Sequence, residues 1–136
     1  MLPKKIIMEN FGPFVHEEVD FDELTEAPLF LISGKTGAGK TTIFDAITFA
    51  LYGDASGGVR SSNEIRSSFA EPTEETRVQF IFEHQGRKYS IERWPKQTLA
   101  KKNGKGETTK NQKVQLSIFN DKGQEAEAYT LSLIHI

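Results

Sequence analysis

The residues best suited to chemistry form a glycine-rich segment with the pattern Gly34-x-x-x-x-Gly39-Lys40-Thr41. This is the spacing of the phosphate-binding P-loop, whose glycines allow successive backbone N–H groups to point at phosphate oxygens. Lysine at this position places an ammonium group on the β- and γ-phosphates, and the adjacent hydroxyl is a suitable Mg²⁺ ligand. The pattern therefore predicts a nucleoside triphosphate site, with Lys40 as its catalytic cation and Thr41 as its metal ligand.

The sequence on either side of this segment supplies the elements that a P-loop requires. Leu29 to Ser33 is a short and mostly apolar run, which predicts a buried strand. Apolar residues then recur at helical spacing, at Ile43, Ile47 and Leu51. This spacing predicts a helix from near Gly39 to near Tyr52, where a breaker run follows. The free N–H groups and the positive dipole end of that helix would face the phosphates.

Composition sets limits on the remaining functions. The 136 residues are enough for one domain with its own core. A net charge of −2 gives no global field for nucleic acid, so any such site must be local. The absence of cysteine excludes disulfides and thiolate zinc sites. No apolar run is long enough to span a membrane or to serve as a signal peptide, so we expect a cytoplasmic protein without a membrane partner.

Most of the remaining chain alternates with period two, which is typical of strands. The pattern predicts three hairpins, at 4–21, 75–93 and 114–130. A short helix is predicted from Asn63 to Ser68, with Asn63 as its cap. The fold class expected is α/β, in which antiparallel β-hairpins pack beside the P-loop strand and helix.

A lysine-rich segment from Pro95 to Lys113 separates the second and third hairpins. It contains six lysines and one glutamate, a local charge near +5, and we expect it to be a polar loop. Phosphate neutralisation by such a loop is physically reasonable, which makes it a candidate DNA contact, with Arg60 and Arg66 as weaker ones. Exposed loops also use glycine and lysine for solubility alone, so the two interpretations stay open.

Two groups of residues resemble a known family. The first is Asn10-Phe11-Gly12-Pro13-Phe14 followed by Val19-Asp20-Phe21, and the second is Leu29 to Ala46 followed by Phe49 to Gly53. Both are similar to the N-terminal ATPase lobe of the SbcC family, the SMC-like ABC-type ATPase subunits of bacterial SbcCD nucleases. The likeness covers almost the whole chain up to about Tyr129.

The resemblance implies a P-loop NTPase head of the ABC/SMC type, with ATP and Mg²⁺ as cofactors. The nucleotide would be held by Gly34, Lys35, Thr36, Gly37, Ala38, Gly39, Lys40, Thr41 and Thr42, the last of these at the α-phosphate. Implied partners are the C-terminal lobe of the same full-length chain, a second head in a homodimer, an SbcD-like nuclease subunit and double-stranded DNA. The implied function is ATP hydrolysis coupled to the processing of DNA double-strand breaks and hairpins.

Other features of that family do not occur in this sequence. The Walker B strand, the Ser-Gly-Gly signature, the switch histidine, the glutamine loop and the hook cysteines are not found. We therefore expect residues 1–130 to be an incomplete head that binds ATP with negligible turnover. The apolar ending at 131–136 does not resemble the family's continuation, and we expect a truncated or non-native tail there.

Three alternatives remain open from the sequence. The chain could be another DNA-repair ATPase head of the SMC or RecF type. It could be a P-loop kinase for a small molecule, although the residues after Gly58 offer no recognisable acceptor pocket, base or arginine-bearing lid. It could also be a DNA-binding or structural module with a vestigial P-loop.

Overall fold

A computed structural model describes residues 1–23, 37–53 and 66–132 of the chain. The described part contains one helix and eight strands, all of the paired strands antiparallel. In chain order these are β1 Leu2–Phe11, β2 Phe14–Asp20, α1 Gly37–Tyr52, β3 Arg77–His84, β4 Arg87–Trp94, β5 Gln97–Ala100, β6 Glu107–Lys110, β7 Lys113–Phe119 and β8 Glu125–Ser132.

Six strands form one sheet in the order β2-β1-β3-β4-β7-β8, and β5 and β6 form a separate two-stranded sheet. The register places apolar residues opposite one another across the large sheet: Ile6 faces Phe80, and Phe80 faces Ile91. Directly opposed residues lie on the same face of a sheet. One face is therefore apolar, and α1 packs on it over β1, β3 and β4.

The core lies between α1 and this apolar face. Its strand side chains and its helix side chains are buried together, and they include Ile6, Met8, Phe11, Ala46, Phe49, Ala50, Val78 and Phe80. Phe80 is completely buried and stacks on Phe82 with ring centroids 5.3 Å apart. Aromatic side chains of this size dominate core energetics, so the stability of the sheet depends strongly on β3, one of the two strands at its centre.

The opposite face of the sheet carries charged residues. Glu9 on β1 lies between His16 on β2, at 2.8 Å, and Arg77 on β3, at 3.6 Å. Arg77 also pairs with Glu92 on β4 at 2.8 Å. These groups are partly exposed, and such pairs contribute about 0–1 kcal/mol each, so this face is solvated rather than a second core.

The predicted hairpins are confirmed. β1 and β2 meet in a two-residue turn at Gly12 and Pro13, and β3 and β4 meet at Gln85 and Gly86, both with positive φ. The helix ends at Tyr52 as expected, and its first residue is Gly37, two residues before the expected start. The predicted strand at 29–33 lies outside the described residues. Of the predicted tail, Leu131 and Ser132 belong to β8, and the remainder lies outside the described part.

Two predictions were wrong. The segment from Pro95 to Lys113 is not a polar loop throughout, because it contains the β5–β6 hairpin, with Gln97 and Leu99 buried on one face. The predicted short helix at 63–68 is not helical over its described residues, 66–68. Arg66 instead forms a β-bridge with Phe11, so pairing with the end of β1 outweighs the local helix signal.

No helix in the ranges that the structure describes is long and apolar enough to cross a bilayer.

Candidate nucleotide-binding site

The phosphate-binding pattern leads directly into α1. The helix begins at Gly37, so Gly37 to Thr42 form its first one and a half turns. Gly34, Lys35 and Thr36 lie outside the described residues, and for Gly37 to Thr41 only the backbone is described. Of the predicted strand, loop and helix, the structure therefore describes the helix.

The start of this helix is suited to an anion. The first N–H groups of a helix have no partner within it, and the helix dipole adds a partial positive charge there. The first turn of α1 contains no acidic residue that could occupy this position. A phosphate chain is the ligand that this arrangement favours.

Thr42 is the one predicted nucleotide-binding residue whose side chain is described. It is 3% exposed and lies against the turn between β1 and β2, where Gly12 is its neighbour. The helix then places Asp45, which is 1% exposed, on the same side as Thr42. Burial of a carboxylate is costly unless it is used in an interaction, which makes Asp45 a further candidate functional residue near the site. Neither the contact of Thr42 nor the burial of Asp45 is evident from the sequence.

The far end of α1 is held by β4. Arg93 donates a hydrogen bond from Nε to the carbonyl oxygen of Ala50 at 3.0 Å, and Gly53 lies beside its guanidinium group. Burial lowers the pKa of Arg93 below its usual value, but an arginine remains protonated at neutral pH. A cation at the C-terminus of a helix is favourable for the helix dipole. The position of the helix is therefore fixed relative to the centre of the sheet.

A buried polar cluster holds the β1–β2 turn and the β5–β6 hairpin together. The Asn10 side chain donates to the Glu75 carbonyl at 2.8 Å, and the Asn10 carbonyl accepts a bond from the Thr76 hydroxyl at 3.0 Å. Gln97 exchanges two hydrogen bonds with the backbone of Thr76, at 2.8 and 3.1 Å. Arg66, a weak candidate for DNA contact on its sequence, donates to the Glu71 carbonyl and to Thr76. Its guanidinium therefore has a structural role here.

The lysines of the β5–β6 hairpin gather at its tip. Lys101, Lys102 and Lys105 are exposed in the turn, which is closed by a hydrogen bond from the Lys101 N–H to the Gly106 carbonyl at 3.0 Å. The base of the hairpin differs, because Lys110 pairs with Glu75 and Lys113 lies 4.7 Å from the centroid of the Trp94 ring. Three exposed lysines are therefore concentrated at the tip, and Lys96 is exposed beside the base of the hairpin.

The described residues offer no group of three or more His, Asp or Glu side chains that could hold a metal ion. The acidic residues from Asp20 to Glu23, at the end of β2, form a local turn. In this turn the Asp22 N–H donates to the Asp20 carboxylate at 2.9 Å. Since the side chain of Thr41 is not described, the predicted Mg²⁺ ligand stays a prediction.

Comparison with known proteins agrees with the P-loop NTPase class that the motif predicts. A family model described as AAA domain matches residues 5–134. The chain is 46% identical over 126 residues to the SbcC subunit of the SbcCD nuclease from Vibrio cholerae, which covers 92% of this chain and 12% of that protein. It is 48% identical over 120 residues to the protein of the same name from Lactococcus lactis, covering 88% of this chain and 11% of that protein.

The match to the Staphylococcus haemolyticus protein of the same name is 47% over 93 residues, which is 68% of this chain and 9% of that protein. The chain thus spans between 9% and 12% of the length of these curated relatives. The likeness to SbcC seen in the sequence is confirmed. The chain belongs to the AAA domain family, as the match over residues 5–134 shows.

Proposed function

We propose that this chain is the ATP-binding N-terminal lobe of an SMC-like ABC-type ATPase, a subunit of a nuclease complex of the SbcCD type. The observation that carries the proposal is the 46% identity to an SbcC subunit across 92% of the chain, with Gly37 to Thr41 of the P-loop pattern at the start of α1. In this proposal Gly34 to Thr42 hold Mg·ATP, and ATP hydrolysis is coupled to the processing of DNA ends and hairpins. The compartment is the cytoplasm, where a bacterial chromosome is repaired.

The surface of α1 supports a partner lobe on its outer side. The sheet-facing side of the helix is buried, yet Phe44 and Tyr52 on other sides are 45% and 76% exposed. A helix that is apolar all round is normally covered all round. We propose that the C-terminal lobe of the longer chain covers this outer side, and that bound ATP then joins two such heads and an SbcD-like nuclease subunit.

The chain alone is expected to bind ATP but to turn it over very slowly. P-loop hydrolysis relies on positioning and charge neutralisation, and general base catalysis adds about 10²–10⁴-fold to the rate. Since the family's Walker B and signature elements do not occur in this sequence, we expect turnover at least about a hundredfold below that of a complete P-loop ATPase. Phosphate release by the 136-residue chain under saturating Mg·ATP measures this.

This assay and three further measurements separate the proposal from its alternatives. Turnover comparable with that of a complete ATPase, lost in Lys40→Ala, would contradict the incomplete-head proposal. Phosphoryl transfer to a small-molecule acceptor in a screen would indicate a kinase instead. A folded chain that gives no heat with Mg·ATP in calorimetry would indicate a vestigial P-loop. A head of the SMC or RecF type would also bind ATP, but it would not associate with an SbcD-like nuclease.

Double-stranded DNA is the proposed substrate, and the tip of the β5–β6 hairpin is its proposed contact. Replacing both Lys101 and Lys105 with glutamine removes two exposed charges from the tip. Each lost phosphate contact lowers the slope of log K against log salt by about 0.9, so we expect a slope reduced by about 2 and weaker binding at every sequence. Fluorescence anisotropy with a DNA duplex over a range of salt concentrations measures both quantities.

A matched control is available at the opposite end of the sheet. Lys88 is exposed at the start of β4, where it pairs with Phe119, and Lys122 is exposed in the following β7–β8 turn. The hairpin leaves the other end of β4, beyond Trp94. The Lys88→Gln, Lys122→Gln variant has the same change in net charge, so equal losses in the two variants would show a global charge effect and not a contact at the tip.

A further inference from the structure

The turn between β1 and β2 contacts α1 through Gly12, which has no side chain. Gly12 has a φ of +57°, a conformation that glycine adopts without strain. A Cβ atom at this position would lie 2.8 Å from the Thr42 Cγ2 atom. Ordinary carbon–carbon contacts are about 3.5–4.0 Å, so any larger residue needs about 0.7 Å or more of movement.

The turn itself is poorly placed to move. Asn10, two residues before Gly12, is bound through its side chain to the Glu75 carbonyl and through its carbonyl to the Ser67 N–H and the Thr76 hydroxyl. Such buried and satisfied networks make a segment rigid. A clash at Gly12 would therefore be relieved by movement of α1 rather than of the turn.

The same turn holds the helix at a second point. Phe11 is fully buried and packs on Phe49 with ring centroids 6.0 Å apart. Thr42 and Phe49 are seven residues apart, so they lie on the same side of α1 two turns apart. With Phe49 held by Phe11, displacement at Thr42 would tilt the N-terminal end of the helix, which is the end that carries Lys40 and Thr41.

We propose that Gly12 is a positioning residue of the nucleotide site, because its bare backbone sets how closely the first turns of α1 approach the sheet. This inference rests on the proposed function, since the helix start is taken to bind the triphosphate of Mg·ATP. The loss of one hydrogen bond to a charged phosphate corresponds to a change of about tenfold or more in affinity. We therefore expect Gly12→Ala to weaken Mg·ATP binding by about tenfold or more.

The test is a double-mutant cycle with a strain control. Thr42→Ser removes Cγ2, the atom that a Cβ at position 12 would meet, and keeps the hydroxyl. Gly86→Ala introduces a Cβ at a similar positive φ, +79°, where no atom lies within 4 Å, at the opposite end of the sheet. Calorimetric Kd for Mg·ATP and the melting temperature are measured for the wild type, the three single variants and Gly12→Ala, Thr42→Ser.

We expect Gly86→Ala to lower the melting temperature by about 5 °C from backbone strain and to leave the Kd unchanged. Gly12→Ala is expected to raise the Kd. When Thr42→Ser is added to Gly12→Ala, the Kd is expected to return to that of the Thr42→Ser single variant. This rescue is a readout that general destabilisation would not give. If Gly12→Ala does not fold, a folded double variant with the affinity of Thr42→Ser supports the inference just as well.

Two results would overturn this inference and leave the proposed function standing. One is wild-type affinity in Gly12→Ala. The other is a double variant that is unfolded or still binds Mg·ATP weakly. Failure of the proposed function is seen separately, because the folded wild type would then give no binding of Mg·ATP before any variant is measured.

Discussion

Replacing Lys40 with alanine is expected to weaken Mg·ATP binding by about 10- to 150-fold. The loss of a charged hydrogen-bonding partner to phosphate corresponds to about 1.5–3 kcal/mol, and the upper end of that range is somewhat more than a hundredfold in Kd. Lys40 lies in the first turn of α1, where alanine is the best helix former, so the helix itself should not suffer. Calorimetry with Mg·ATP and circular dichroism together measure both effects.

The predicted role of Lys40 is specific enough to be separated from a general charge effect. Because its ammonium group is assigned to the β- and γ-phosphates, the affinity for AMP should change much less than the affinity for ATP. Lys40→Arg keeps the positive charge but replaces the compact ammonium group with a planar guanidinium group. This variant should therefore recover only part of the affinity for Mg·ATP. Lys88→Ala removes an equal charge from the opposite end of the sheet and serves as the control. Equal losses for ATP and AMP in Lys40→Ala would contradict the assignment.

Replacing Phe80 with alanine is expected to destabilise the fold by about 3–5 kcal/mol. The side chain is completely buried on β3, opposite Ile6 and Ile91 and stacked on Phe82. The loss includes the transfer free energy of the ring and the cavity that remains between sheet and helix. A domain of this size has a total stability of about 5–15 kcal/mol, so the variant retains little. We expect the melting temperature to fall by about 10–17 °C.

Phe69 provides the matched control for this variant, because it is 71% exposed in the turn after Arg66. Phe69→Ala should change the free energy of unfolding by no more than about 0.5 kcal/mol. If Phe80→Ala is too unstable to purify, Phe80→Leu keeps much of the volume and should cost about 1–2 kcal/mol. Similar melting temperatures for the Phe80 and Phe69 variants would show that β3 is not the centre of the core.

The hairpins and the helix could be predicted from the sequence because their signals are local. Alternation with period two at Val78, Phe80 and Phe82 indicates which face of β3 is buried. The turn at Gln85-Gly86 follows directly after this strand. The helical spacing from Ile43 to Leu51 does the same for α1. The P-loop pattern is also local, since its glycines, lysine and threonine lie together within one short segment.

Contacts between distant segments were not predictable in this way. Gln97 is buried because it pairs with the backbone of Thr76, which lies 21 residues earlier in the chain. Without that partner the lysines around it dominate the local pattern, which is why the segment resembles a loop. Arg93 contacts the Ala50 carbonyl across 43 residues, and neither residue indicates this from its own neighbours.

The sequence by itself determined the P-loop pattern, the helix that follows it and the family, because each depends on residue types at fixed spacing. Only the tertiary structure decided that Gly12 lies against Thr42, that Arg93 holds the end of α1 and that the lysines at the hairpin tip stand apart from the pairs made at its base. The order β2-β1-β3-β4-β7-β8 brings these groups together. Strand order follows from the joint burial of all apolar faces, which no single stretch of sequence specifies.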